Sequence, residues 1–208
     1  ISLVKSLPLI VRTFQEAVKN YGKKEQEEKN RLNQDLSLSV VFFGILFMAL
    51  LMWLLPVIPV TLPVAVLIIV FGFFFATVSS RMVGLVGSSN NPVSGMAIAT
   101  LLLSTLILKA SGKTGMEGMI AAIIIGSVIC IIAALSGDTS QDLKTGHLIG
   151  ATPKKQQIGE LIGILAAALA TGGTLYLLNA AWGYGSTELP APQATLMKMV
   201  VEGVMEGN

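Results

Sequence analysis

Between Ser37 and Leu55 the chain carries no charged side chain. That is roughly 20 residues, enough for a helix to cross about 30 Å of hydrocarbon at about 1.5 Å per residue. Apolar runs return at Val60–Thr77, Met96–Leu108, Met116–Leu135 and Ile158–Asn179, with Glu117 and Glu160 as their only charges. A backbone in lipid must satisfy its own N–H and C=O groups, so each run is predicted to be helical. Composition points the same way. Charged residues are 12% and hydrophobic ones 53% of 208, against about 25% charged in a soluble domain. The expected fold is all-α: a polytopic integral membrane bundle, embedded in the lipid bilayer, with five spans over residues 37–179.

The flanking segments differ in character. Residues 1–21 place Leu3, Leu7, Ile10, Val11, Phe14 and Val18 at helical spacing, which suits an amphipathic, interfacial helix. Residues 22–36 form a charged cytoplasmic linker, and residues 137–157 a polar cytoplasmic hairpin between the fourth and fifth spans. Pro190 and Pro192 introduce a last amphipathic or partial membrane helix within 188–208, where Leu196, Val200 and Val204 oppose Lys198, Glu202 and Glu206. The chain begins at Ile1 and stops at Asn208 straight after that amphipathic run, so it is expected to be an internal or C-terminal-half piece.

Orientation follows from the basic residues. With the N-terminal region inside, the cytoplasmic face holds Lys5, Arg12, Lys19, Lys23, Lys24, Lys29, Arg31, Arg81, Lys144, Lys154 and Lys155; the other holds Lys109 and Lys113. The expected location is the cell (inner) membrane, multi-pass. A net charge of +2 is too small to argue for nucleic acid, and one cysteine, Cys130, excludes a disulfide within the chain.

Two polar stretches interrupt this pattern. The first is Ser88–Gly95, where Ser89, Asn90, Asn91, Pro92, Ser94 and Gly95 are the candidate substrate or ion path. Asn-Pro biases Asn91 away from helix, and Pro92 fits the first turn of a new one. The free N–H groups of a helix start suit a polar or anionic solute. Two readings stand: a broken or re-entrant helix at membrane depth, or a short polar loop outside the membrane that caps the next helix.

The second stretch is Ser136–Gln156. Gly137 can end the fourth helix, Asp138, Thr139 or Ser140 can cap a short following one, and Thr152-Pro153 can start the fifth span. Its functional alternative is a hairpin coupling two moving spans, with Asp138, Gln141, Asp142, Lys144 and His147 as candidates. Glu160, near the start of the fifth span, is the candidate ion-coupling group. A carboxylate there also meets the helix dipole favourably, which is a purely structural reason for it.

Other chemistries fit poorly. Ser111-Gly-Lys-Thr114 resembles the tail of a phosphate-binding loop, but Ile107 stands where its first glycine belongs. Asp138 and Asp142 share one helical face instead of flanking a scissile bond, and His147 has no second histidine or cysteine near it. No catalytic residue, metal site or cofactor is expected, and the chain is read as not an enzyme.

Gly84–Met96 taken with Leu135–Gln157 resembles the oligopeptide transporter (OPT) superfamily, nearest its bacterial and yellow-stripe-like branches. Lys5–Pro8 and Leu189–Ala194 resemble it too, so the likeness spans nearly the whole chain. The resemblance implies secondary active transport, proton-coupled, of small peptides or metal–chelate complexes, with protons and the remainder of a longer chain as partners. The rival class is a channel, since aquaporins also start half-helices at Asn-Pro; they use a pair of Asn-Pro-Ala motifs, and this chain has a single Asn-Pro. A non-transporting membrane scaffold is the third reading.

Overall fold

The computed structural model describes residues 31–55 and 61–206, with Pro8, Arg12 and Gln15 as isolated positions. The expected helix over 1–21, most of the charged linker and the turn at Pro56–Pro59 lie outside the described residues. Among the described residues a 3-10 turn at Arg31–Asn33 is followed by six α-helices: α1 Leu38–Leu54, α2 Leu62–Val86, α3 Val93–Ala110, α4 Gly115–Ile149, α5 Pro153–Ala181 and α6 Pro192–Glu206. The first five are long and apolar enough to cross a membrane. The molecule is a helical membrane bundle.

Contacts fix the directions of the spans. Gly72 lies against Ile129 and Ile132, Ser80 bonds Ser136, and Ser88 bonds Gln141, so α2 and α4 run parallel. Leu101 lies against Gly126 while Asn91 reaches Ala133, so α3 packs on α4 and runs antiparallel to both α2 and α4. With 18 residues, or about 27 Å, α3 is one continuous helix beside the apolar part of α4, long and apolar enough to cross a membrane. Gln156 and Glu160 meet α4 at Asp142 and Thr139, which makes α4 and α5 an antiparallel pair. Both lysines assigned to the outer face sit at one end of the bundle. Lys113 donates to Thr61 Oγ1 at 2.7 Å and Lys109 to the Val204 carbonyl at 2.7 Å.

The core is built by α2, α3 and α4, where Val64, Phe75, Leu101, Leu108, Ile125 and Ile129 are nearly inaccessible. On α3 the buried hydroxyls of Thr100, Ser104 and Thr105 bond carbonyls of their own helix. α6 adds Val201 and Met205, with Met197 partly buried beside them. Its covered face is therefore offset by one residue from the expected Leu196–Val200–Val204 stripe, and Leu196 is exposed. α1 has no buried residue, and α5 has only Pro153.

Three helix boundaries differ from the sequence reading. α4 does not stop at Gly137; it continues for 35 residues, about 52 Å, so no short capped helix begins at Asp138–Ser140. Gly137 serves as a notch: a Cβ there would fall 2.6 Å from Asn91 Nδ2 and 2.8 Å from Val83 Cγ2. The stop comes at Gly150, whose φ of 80° suits glycine. There Gly150 N–H bonds the His147 carbonyl at 3.2 Å and Ala151 N–H the Gly146 carbonyl at 2.8 Å, a Schellman closure. The second difference is at the start of α5, where Pro153 takes a first-turn position but Thr152 makes no side-chain cap bond. The third is at α3, which begins at Val93 with Pro92 as its cap, one step earlier than a first-turn proline.

Candidate functional site

α2 ends because Gly87 adopts φ 81°, and a 3-10 turn Ser88–Asn90 follows. Asn91 is extended, with ψ 122°, as a residue before proline prefers. That conformation separates the twin asparagines. Asn90 is exposed and its amide donates to the Val86 carbonyl at 3.2 Å, closing off α2. Asn91 turns into the bundle, where Nδ2 donates to Ser79 Oγ at 2.7 Å and to the Ala133 carbonyl at 3.2 Å. Ser79, fully buried, donates to the same Ala133 carbonyl.

A carbonyl can only accept, so the amide must present its NH₂ group there. Asn91 Oδ1 is left buried, with no hydrogen-bond partner among the described residues. A buried orphan acceptor costs about 1–3 kcal/mol. The interruption lies level with Ala133 and Gly137, where the apolar run of α4 gives out. It is thus level with one end of the apolar run of α4, not with its middle. Ser89, Pro92, Ser94 and Gly95 are exposed beside it.

Beyond this knot, towards the C-terminal end of α4, lies an open cavity of about 1010 Å³ between the residue 32–35 segment, the end of α2 and α4. Gln141, Lys144 and His147 line it, as do Asp35, Val83 and Gly87. Asp138 and Asp142 are exposed and do not line it, nor does Asn91. Val83 joins the two features, since it lines the cavity and lies beside Gly137 as the Asn91 amide does. Gln141 also accepts from Ser88 N–H at 2.7 Å, tying the turn to α4.

Glu160 belongs to a different face. Its Oε2 accepts from Thr139 Oγ1 at 2.8 Å. Thr139 is two residues beyond Gly137, about 200° around α4. The structure therefore does not bring Glu160 to the asparagines. Among the described residues no group of three or more His, Cys, Asp or Glu is placed to hold a metal ion.

Sequence reasoning missed Ser79, Ser80, Ser136, Gly137 and Ser140 as partners of this site. Ser80 Oγ donates to the Ser136 carbonyl at 3.0 Å, and Ser140 Oγ to the Ser80 carbonyl at 3.1 Å. The signal was available as small residues four apart, Ala133 with Gly137 and Ser136 with Ser140, the pattern of close helix contacts in membranes.

Fold and site together define a polytopic helical membrane protein whose third span starts from a polar interruption pinned to the fourth. The family of OPT oligopeptide transporter proteins matches residues 3–208, and the chain belongs to it. It is 36% identical over 152 residues, 64% of this chain, to a Haemophilus influenzae protein named "Putative oligopeptide transporter". It is 33% identical over 94 residues to the Arabidopsis thaliana "Probable metal-nicotianamine transporter YSL5" and 31% identical over 91 residues to the Oryza sativa "Iron-phytosiderophore transporter YSL15", each match covering 42% of this chain. These matches take in 24%, 13% and 14% of the relatives' own lengths, so the chain corresponds to a minor part of them. No solved structure matches it.

Proposed function

We propose that this chain is part of a secondary active carrier in the cell (inner) membrane that moves small peptides or metal–chelate complexes, driven by protons. The observation that carries the reading is the buried, unpartnered Oδ1 of Asn91 at an interrupted helix, one side chain behind a wide inner mouth. Carriers build polar sites from broken helices and open them to one side at a time. An acceptor left without a donor suits a cargo N–H.

In this reading Ser89, Asn90, Asn91, Pro92, Ser94 and Gly95 form the polar edge of the path. Glu160 takes the coupling proton, and the end of α4 with Asp138, Gln141, Asp142, Lys144 and His147 transmits movement between spans. The names of the relatives support peptides or metal chelates as cargo classes. The partners are protons, the bilayer and the rest of a longer chain.

The test is competition uptake by the full-length transporter in proteoliposomes, with di- to pentapeptides set against iron chelates at two external pH values. Saturable uptake that collapses with a proton ionophore is expected. Flux indifferent to the ionophore would assign the protein to the pores, and undiminished uptake after both asparagines become alanine would remove them from the path.

A further inference from the structure

Residues 31–36 lead from the 3-10 turn towards α1 and are tied to the start of α5. The Lys154 N–H donates to the Gln34 carbonyl at 2.8 Å. Lys154 follows Pro153 in the first turn of α5, where N–H groups have no partner within the helix. The segment therefore supplies a cap that the Thr152 side chain does not. Gln157 completes the tie with both ends of its amide. Its Oε1 accepts from the Leu36 N–H at 2.8 Å, and its Nε2 donates to Asp35 Oδ1 at 3.1 Å. A donor on one side and a carboxylate on the other fix which way that amide points.

The same segment is a wall. Leu32, Asn33 and Asp35 line the cavity whose other sides are the end of α2, α4 and Pro153. No residue from 31 to 36 is buried, so hydrogen bonds near water hold the segment, not packing in the core. Contacts of that kind open and close locally while the rest of a protein stays folded. The helix that follows does not pin it either: α1 has no buried residue and packs on the core at its far end, through Met52. We infer that residues 31–36 are a strap across one side of the cavity, clasped by Gln157, whose release widens the way to Val83 and to the Asn91 amide beyond it. This rests on the reading of the cavity as the mouth of a transport path, and adds the element that opens it.

A strap opens as a unit, which a merely local bond would not do. In the full-length transporter, Gln157→Leu removes both side-chain bonds and leaves the Gln34 carbonyl in place. Site-resolved hydrogen exchange is expected to quicken about tenfold at Leu36 and also at Lys154, whose own acceptor is untouched. Leu143→Cys, with Cys130 and any other cysteine replaced, puts a thiol on a half-buried part of the cavity wall. A water-soluble maleimide should label it about tenfold faster once Gln157→Leu is added. Exchange that quickens at Leu36 alone, or labelling indifferent to Gln157→Leu, overturns the strap. In proteoliposomes, Gln34→Cys and Lys154→Cys bridged by a reducible linker should halt uptake of a labelled tripeptide or an iron chelate until the linker is cut. Uptake that continues through the bridged protein overturns the strap as a gate. Faster exchange and labelling in a protein that takes up neither cargo uphold the strap and sink the carrier reading instead.

Discussion

The fourth helix is clasped on two sides, and the clasps are built differently. Towards α2, Ser79, Ser80 and Asn91 bond its backbone at Ala133 and Ser136, Gly137 lets the helices close up, and Phe75, Ile125 and Ile129 pack beyond them. Towards α5, the bonds are those of Gln156 and Glu160, and past Pro153 no α5 residue is buried. Lipid is as apolar as leucine, so burying leucine between helices does not drive them together; close approach and polar bonds do. By that criterion α2–α4 is the fixed joint and α4–α5 the loose one.

The contrast can be broken by experiment. Gly137→Leu forces a branched side chain onto Asn91 and Val83, and should cost about 3 kcal/mol, read as a large loss of thermal stability in detergent. Ser79→Ala removes both the bond to Ala133 and the acceptor for Asn91, and should cost about 1 kcal/mol. Gly146→Ala should cost under about 1 kcal/mol, because the group it displaces is the far end of a flexible glutamine. If Gly146→Ala proved more damaging than Gly137→Ala, the ranking of the joints would be reversed. Lys198→Ala on α6 sets the floor at about 0.3 kcal/mol, since it removes only an exposed pair with Glu202 at 3.5 Å. Hydrogen exchange would sharpen the picture, with amides of α5 expected to exchange ahead of those of α2.

The spans were legible because uncharged length is a direct demand of the bilayer, and all five apolar runs lie within or nearly within helices. The C-terminal ends of α2 and α4 were not. Hydropathy drops at Ser79-Ser80-Arg81 and again after Leu135, yet both helices continue to Val86 and Ile149. Hydropathy reports where lipid is, whereas a helix persists wherever its polar side chains find partners. Ser80 finds one on the Ser136 carbonyl and Ser140 on the Ser80 carbonyl, while Ser136 bonds Ala133 of its own helix. Asn91 was legible as special from Asn-Pro alone, but its separation from Asn90 depends on the extended backbone between two helices. Glu160 stood out as a charge in an apolar run; Gln156, equally placed, did not, because an amide in a polar segment gives no such signal.

The uninterrupted course of α4 has a mechanical consequence. Gly137 and Thr139 ride on one rigid shaft, so a twist about its axis cannot loosen one seam without turning the other through the same angle. The Thr139–Glu160 bond and the Asn91 contact at Gly137 are therefore carried by one and the same backbone.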